Sequence, residues 1–205
     1  MKHEVVSLQR NQRVQAAEML AWAFQSDPIY RELFPESGAR HKVLVTMFDG
    51  VVGYAMRYGE VLTTPEVRGA ACWLPPGEVN VTLWRIARTG FGLVRGILAY
   101  SQDARKRFMA GVTHTEAVHK RLMRVPHWYL WLLGVAPDRQ GHGYGSALLQ
   151  PILARADEDG VPCYLETQTE RNVAFYRRRG FEVAETGLMP GVDLPVWYMV
   201  RSPQG

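Results

Sequence analysis

The chain has 205 residues, of which 47% are hydrophobic and 21% charged, a composition typical of a globular protein with its own core. Its formal net charge is only +4. This excess is too small to indicate nucleic-acid binding, but it suits an anionic ligand that carries phosphates. Two cysteines, Cys72 and Cys163, are too few for a disulfide framework, so we expect reduced thiols and a cytoplasmic protein.

The ends and the apolar windows of the sequence do not favour a membrane. The N-terminus leads into a polar segment rather than a long apolar stretch, so we expect no signal peptide. The most apolar long window, residues 79–100, is interrupted by Arg85, Arg88 and Arg95, and a lipid core tolerates such charges poorly. This window therefore predicts packed helix and no membrane partner.

The first half of the chain predicts helices around one hairpin. The predicted elements are a strand at Val5–Leu8, a helix at Asn11–Phe24, a short helix starting at Pro28, a long helix at Gly38–Tyr58, and two paired strands at Glu60–Thr64 and Ala70–Leu74. The helical period returns between residues 79 and 125. Within it, Thr113 and Glu116 have capping-box spacing, which predicts that a new helix begins at Thr113.

The second half predicts alternating strands and helices. The dense apolar run at His127–Val135 indicates a central strand buried on both faces. The other predicted elements are a helix at Tyr144–Glu158 kinked by Pro151, a strand at Val161–Thr167, a helix at Asn172–Arg179, and strands at Phe181–Glu185 and Val196–Arg201. The sequence shows no repeat or linker, so we expect one α+β domain over residues 1–205.

The most informative segment is the glycine-rich loop Gln140-Gly141-His142-Gly143-Tyr144-Gly145, followed by Ser146. It leaves a predicted buried strand and enters a predicted helix. Glycines allow the backbone to approach a ligand closely, and the amides at a helix N-terminus attract anions. The loop therefore predicts a pyrophosphate site.

Other motifs are excluded by particular residues. Ser146 stands where a dinucleotide fold needs its third glycine, and no Gly-Lys-Ser/Thr of a Walker loop follows. His114 and His119 do not share a helix face, and no other metal-binding spacing is present, so we expect no metal. The run Arg177–Arg179 favours a helix C-terminus over a nucleic-acid patch.

The loop matches the pattern Gln/Arg-x-x-Gly-x-Gly/Ala, and here the chain resembles the GNAT superfamily of N-acetyltransferases. Asn172-Val173-Ala174-Phe175-Tyr176 and Arg179-Gly180-Phe181 continue the resemblance. Together with Leu165-Glu166-Thr167 and Trp197-Tyr198-Met199, they are most similar to puromycin N-acetyltransferase and its relatives. The resemblance is strong over about residues 127–201, the expected cofactor-binding and catalytic part. It is weaker over residues 1–126, the expected substrate side.

The resemblance implies a mixed, mostly antiparallel α+β sheet, with a splayed central pair of parallel strands flanked by helices. It implies that acetyl-CoA binds in the splay as the acetyl donor. The implied cofactor contacts are Leu133, Gly134 and Val135 for the pantetheine, Gln140, Gly141, His142, Gly143, Tyr144, Gly145 and Ser146 for the pyrophosphate, and Asn172 and Tyr176. A backbone amide of Leu133 or Val135 would serve as the oxyanion donor.

Two side chains are candidates for acid–base chemistry. Tyr176 lies four residues after Asn172 and so shares its helix face. A phenol is protonated at neutral pH and can donate to a departing thiolate, although a packed core aromatic is the alternative. Glu166 lies near the end of a predicted buried strand, on the same face as Tyr164. It is either the base that deprotonates the amine or the partner of an arginine such as Arg171.

The resemblance predicts transfer of acetyl to the amine of a small molecule by direct attack in a ternary complex. Two alternatives remain open, a non-catalytic acyl-CoA sensor and a protein or peptide N-acetyltransferase. Aromatic residues in the first half favour a small apolar amine over a peptide groove, namely Trp22, Phe24, Tyr30, Phe34 and Trp73. The sequence also leaves open a homodimer.

Overall fold

The computed structural model describes residues 3–89, 92–98 and 100–204. Its helices are α1 (Arg13–Ala23), α2 (Pro28–Leu33), α3 (Ser37–Tyr58), α4 (Leu83–Arg88), α5 (Gly92–Leu98), α6 (Gln102–Leu122), α7 (Tyr144–Glu158) and α8 (Glu170–Arg177). Its strands are β1 (Val6–Ser7), β2 (Glu60–Thr63), β3 (Gly69–Leu74), β4 (Trp128–Val135), β5 (Cys163–Thr167), β6 (Glu182–Met189) and β7 (Leu194–Arg201).

The strands form one seven-stranded sheet in the order β1-β2-β3-β4-β5-β7-β6. Strands β4 and β5 are parallel, and every other neighbouring pair is antiparallel. The parallel pair needs a crossover, which α7 supplies, whereas the antiparallel pairs β2–β3 and β6–β7 are hairpins joined by short turns. The predicted α+β fold with one central parallel pair is confirmed.

The parallel pair separates soon after it begins. Its register joins Trp128 to Cys163 and Tyr129 to Tyr164, and no further pair follows along β4. On the opposite side of β4 the ladder with β3 continues to Val135, with a register shift across one extra residue of β4. Such a bulge increases the local twist of a strand. The second half of β4 therefore has one edge paired and one edge facing a gap.

Helices cover both faces of the sheet. On one face α7 and α8 bury an apolar cluster that includes Leu148, Ile152 and Val173. On the other, α1 and α3 pack with Cys72 of the sheet. A bidentate ion pair between Arg201 and Asp157, at 2.6 and 2.7 Å, ties β7 to the end of α7, and the Arg201 side chain is only 4% exposed.

Two sequence-based expectations are corrected. Helix α6 begins after Ser101, whose hydroxyl accepts from the Ala104 amide; the capping-box spacing at Thr113 falls inside that helix, so no helix begins there. Strand β4 is central, but it is not buried on both faces because its second half borders a cavity. Helix α7 contains Pro151 within its span, and the kink expected there stays a prediction.

Other expectations are confirmed within a few residues. The β2–β3 hairpin, the long helix α3 and the short helix after Asp27 form as predicted. Cys72 and Cys163 are unbridged and buried. In the part of the chain that the structure describes, no helix is both long and apolar enough to cross a membrane.

Candidate active site

The loop between β4 and α7 is a tight turn with open space around its glycines. Gly141 and Gly143 have φ values of +81° and +88°, a region that favours glycine. A Cβ at Gly141 would meet no atom within 4 Å, and one at Gly143 would meet only the His3 ring, at 3.7 Å. Among the described residues no side chain caps α7, so the first amides of this 15-residue helix are available to an anion.

Side chains of the loop stabilise its backbone by hydrogen bonds. Gln140 Nε2 donates to the Val135 carbonyl at 3.2 Å, and His142 Nδ1 lies 2.9 Å from the Gln140 carbonyl. The N-terminal segment also contacts the loop, because His3 Nε2 lies 2.7 Å from the His142 carbonyl and the His3 ring stacks on Tyr144 at 3.8 Å. These contacts hold the backbone of the loop in place.

One cavity of about 1450 Å³ runs from this loop, past the gap beside β4, to the opposite side of the sheet. All but one of the predicted site residues line it: Leu133, Gly134, Val135, Gln140, Gly141, Gly143, Tyr144, Gly145, Ser146, Glu166, Asn172 and Tyr176. The exception is His142, whose side chain is exposed outside the cavity. The structure thus brings the glycine-rich loop together with Glu166, Asn172 and Tyr176, which come later in the sequence.

Glu166 is held by a tyrosine. The Tyr129 hydroxyl donates to Glu166 Oε2 at 2.9 Å, whereas Oε1 is buried without a hydrogen-bond partner among the described residues. Burial raises the pKa of Glu166 from 4.5 to about 7, and the hydrogen bond from Tyr129 offsets part of that rise. No arginine of the described chain pairs with Glu166, so the expected alternative of an ion pair is wrong.

Tyr176 lines the cavity and packs against aromatic neighbours. Its ring is 5.1 Å from Phe175 and 5.7 Å from Phe181, centroid to centroid. Burial raises the pKa of Tyr176 well above its ordinary value of 10, so the phenol stays protonated at neutral pH. Asn172 does not cap α8; Thr169 does, by accepting from the Asn172 amide at 3.3 Å. The Asn172 side chain is left facing the cavity.

The end of the cavity near the loop is basic. Four arginines line it, namely Arg139, Arg171, Arg178 and Arg179. The guanidinium of Arg179 lies 3.5 Å above the centre of the Phe175 ring and donates to the Ser146 hydroxyl. The uncapped helix N-terminus and these cations fit a ligand with several phosphates.

The opposite end of the cavity is mainly apolar, and the buried carboxyl of Asp27 is also part of its wall. Its walls include Phe24, Tyr30, Met47, Phe48, Val51, Phe108, Val112, Trp131 and Met189. Of the aromatics that the sequence suggested for this side, Phe24 and Tyr30 line the cavity, whereas Phe34 and Trp73 are buried in the core and Trp22 is exposed. This end therefore fits an apolar molecule of moderate size.

Two residues near Glu166, in the middle of the cavity, were not predicted from the sequence. We call this region the polar centre of the cavity. Tyr129 belongs to the last residue pair of the parallel ladder, opposite Tyr164, and its contact with Glu166 depends on the splay. His119, on α6, lines the same cavity, and its ring lies 4.7 Å from that of Tyr129. Nothing in the sequence around α6 signals this, because the helix reaches the sheet only through tertiary packing.

A splayed parallel pair, an uncapped helix at its open end and a carboxylate in the gap form a site that fits a phosphate-bearing ligand. Comparison with known proteins adds which family the chain is similar to. Residues 94–181 match the acetyltransferase (GNAT) family. Over 197 residues, 92% of this chain and 79% of the relative, the chain is 28% identical to an uncharacterized N-acetyltransferase of Schizosaccharomyces pombe.

Solved structures share the fold. A Corynebacterium glutamicum protein described as histone acetyltransferase HPA2 and related acetyltransferase matches with a TM-score of 0.66 and 22% identity, over 100% of this chain and 98% of that one. Arylalkylamine N-acetyltransferase 2 of Aedes aegypti matches with a TM-score of 0.62 and 10% identity, over 98% and 99% of the two chains. The protein therefore has the fold of the GNAT acetyltransferases, and its residues 94–181 match that family, whose acetyl donor is acetyl-CoA.

Proposed function

We propose that this protein acetylates the amine of a small, largely apolar molecule by direct attack in a ternary complex. The observation that carries the proposal is the continuity of one cavity between a basic, amide-lined end and an apolar end. Glu166 and Tyr176 both border it. A donor and an acceptor entering from opposite ends would meet at the gap beside β4.

The residues of the gap and loop would hold acetyl-CoA. The amides at the start of α7 and the arginines around them would bind the pyrophosphate. The unpaired edge of β4 at Leu133–Val135 and the amide of Asn172 would hydrogen-bond the pantetheine arm. When bound, acetyl-CoA supplies an acetyl group as a thioester, whose carbonyl carbon accepts the amine and whose sulfur leaves.

Glu166 and Tyr176 would manage the protons. An ammonium must lose a proton before it can attack, and a carboxylate whose pKa is about 7 is half ionised near neutral pH and accepts that proton well. The Tyr176 hydroxyl, with its raised pKa, keeps its proton and would donate it, or a strong hydrogen bond, to the leaving sulfur. A backbone amide of Leu133 or Val135 would stabilise the developing oxyanion.

The walls of the acceptor end support a small molecule over a peptide. Helix α6 is fixed across this end by Arg107, which donates to Glu32 at 2.6 Å and to the Gly191 carbonyl at 2.5 Å. Further along α6, Arg121 donates to both carboxylate oxygens of Glu185 at 2.7 Å. These contacts of Arg107 and Arg121 connect α2, α6 and the β6–β7 hairpin around the apolar end of the cavity. A site for a peptide would need an open groove there.

The resemblance to puromycin N-acetyltransferase and the fold shared with an arylalkylamine N-acetyltransferase support the same acceptor class. The cytoplasmic location and the homodimer remain predictions.

A panel assay tests the acceptor class. Purified protein and acetyl-CoA are mixed with alkylamines, arylalkylamines, polyamines and N-terminal peptides, and free thiol is followed with time. We expect arylalkylamines such as 2-phenylethylamine, or long alkylamines, to give the highest kcat/KM. Preference for peptides would indicate the protein acetyltransferase alternative, and tight acetyl-CoA binding without turnover of any amine would indicate the sensor.

A further inference from the structure

Two histidines face each other behind the polar centre of the cavity, and neither has a role in the function proposed above. His119 on α6 is 8% exposed and His127, just before β4, is 3% exposed. Their Nε2 atoms lie 2.7 Å apart, a hydrogen-bond distance that requires one hydrogen between them. The two rings therefore form a direct hydrogen bond, and the positions of their hydrogens are defined.

The backbone fixes that arrangement. His127 Nδ1 lies 2.7 Å from the Val125 carbonyl, which can only accept, so Nδ1 of His127 carries a hydrogen. Burial lowers the pKa of both histidines, that of His119 to about 3, so both rings are neutral at neutral pH. A neutral His127 then has a bare Nε2, and the hydrogen between the rings belongs to Nε2 of His119.

The consequence lies on the other side of the His119 ring. A neutral ring carries one hydrogen, so Nδ1 of His119 is a bare acceptor. It has no hydrogen-bond partner among the described residues and is not fully buried, and His119 lines the cavity. The ring is held in place by stacking on Tyr164, with centroids 4.1 Å apart and planes 9° from parallel.

We propose that His119 is a further residue of the amine site, where its Nδ1 accepts a hydrogen bond from the acceptor amine, and that His127 is a positioning residue that keeps this nitrogen free of hydrogen. The inference rests on the proposed function. The other groups that face His119 are Tyr129 and Tyr164 on the sheet, His127 before β4, and Lys120 beside it on α6.

The chemistry explains why two acceptors are useful. A primary amine that attacks through its lone pair points two N–H groups elsewhere, and in an apolar chamber an unpaired N–H is costly. The Glu166 carboxylate, on the wall of the same cavity, is one acceptor, and His119 Nδ1 is the second. The pair therefore selects primary amines, because an N-methyl amine has only one N–H to place.

Steady-state kinetics with matched amines test the proposal. The probes are 2-phenylethylamine and N-methyl-2-phenylethylamine, or the best panel amine and its N-methyl analogue. For His119→Phe we expect KM for the primary amine to rise roughly tenfold, the effect of leaving one buried N–H unpaired, with a smaller rise for the N-methyl amine and an unchanged KM for acetyl-CoA. His119→Asn restores an acceptor near the Nδ1 position and should recover part of the loss.

Two further variants distinguish a role in positioning the His119 ring from a purely structural role. His127→Phe removes the contact that fixes the tautomer and should shift the same KM ratio in the same direction. His114→Phe, on the same helix but outside the cavity lining, should change neither KM. An unchanged ratio between the two amines in His119→Phe would overturn this inference alone, whereas a wild-type protein that acetylates no amine would overturn the proposed function as well.

Nitrogen NMR on the wild-type protein gives a readout that needs no variant to fold. With 15N-labelled histidine, we expect His119 to carry its hydrogen on Nε2 and His127 on Nδ1. Addition of 2-phenylethylamine should shift the His119 Nδ1 resonance. A hydrogen on Nδ1 of His119, or a Nδ1 resonance that saturating amine leaves unmoved, would contradict the proposal.

Discussion

Tyr176 combines burial, a protonated hydroxyl and a place on the cavity wall. Tyr176→Phe removes the hydroxyl and keeps the ring against Phe175 and Phe181. If the phenol protonates the leaving sulfur, kcat should fall by roughly 10²–10⁴-fold, the usual range for general acid catalysis. Acetyl-CoA affinity should stay near normal, because a thioester sulfur accepts hydrogen bonds poorly before it leaves.

Isothermal titration with acetyl-CoA and single-turnover rates separate binding from chemistry in this variant. The melting temperature without ligand is the control for lost packing. A variant that retains the wild-type single-turnover rate would make Tyr176 only a packed aromatic.

Glu166 provides a prediction about pH and activity. Because its pKa is about 7, the wild-type base is ionised above that pH and protonated below it, so kcat/KM should fall about tenfold per pH unit below about pH 7. Glu166→Gln should have low activity at pH 8 and lack this acidic limb. The measurement is kcat/KM from pH 5.5 to 9, and a variant with the wild-type profile would assign the carboxylate a structural role.

The same carboxylate provides a prediction about stability. A group whose pKa is raised on folding favours the folded state at low pH, and that contribution is lost as pH rises through the folded-state pKa. The rise from 4.5 to about 7 corresponds to at most about 3 kcal/mol in the free energy of unfolding. Glu166→Gln should therefore be more stable than wild type at pH 8.5 but nearly equal at pH 4. Equal unfolding midpoints at both pH values would contradict the raised pKa.

At the scale of elements, the two ends of α7 offer a matched pair of glycines. Gly143 has a φ of +88° beside the cavity, and Gly160 has a φ of +66° beyond the end of α7. Valine at either position costs about 1–3 kcal/mol in backbone strain. Only Gly143→Val should also weaken acetyl-CoA binding, by tenfold or more, since its side chain would project toward the open space of the loop. Equal acetyl-CoA affinities for the two variants in calorimetry would mean that the pyrophosphate site lies elsewhere.

The elements were predictable where local chemistry decides them. The glycine loop, the apolar strand before it and the helix that carries Tyr176 all depend on short-range signals, and all formed near the expected residues. The start of α6 was missed because Ser101 caps it earlier than the Thr113 spacing suggested. The burial of β4 was overestimated because an apolar run signals the core and a substrate cavity equally well.

The contacts inside the site were not predictable, since they join distant elements. Tyr129 meets Glu166 only because β4 and β5 pair at their first residues and then separate. The His119–His127 pair depends on the packing of α6 beside β4. Sequence spacing gives the face of a strand on which Glu166 lies, but it gives no information about which tyrosine lies within reach of it.

At the scale of the whole molecule, most of the apolar end of the cavity is lined by the first half of the chain, and the end beside the glycine-rich loop is lined by the second half. Both cysteines lie outside the cavity lining, and burial raises the pKa of each to about 12. Neither is placed to carry an acetyl group as a nucleophile. The arrangement therefore favours direct transfer between two molecules that are bound at the same time.

Bisubstrate kinetics test this central claim most directly. Initial rates are measured over a grid of acetyl-CoA and amine concentrations, with thiol release and the N-acetyl product followed together. Direct attack in a ternary complex predicts double-reciprocal lines that intersect and one N-acetyl amine formed for each thiol released. Parallel lines, the sign of a covalent acetyl-enzyme, or thiol release without an acetylated amine would contradict the account.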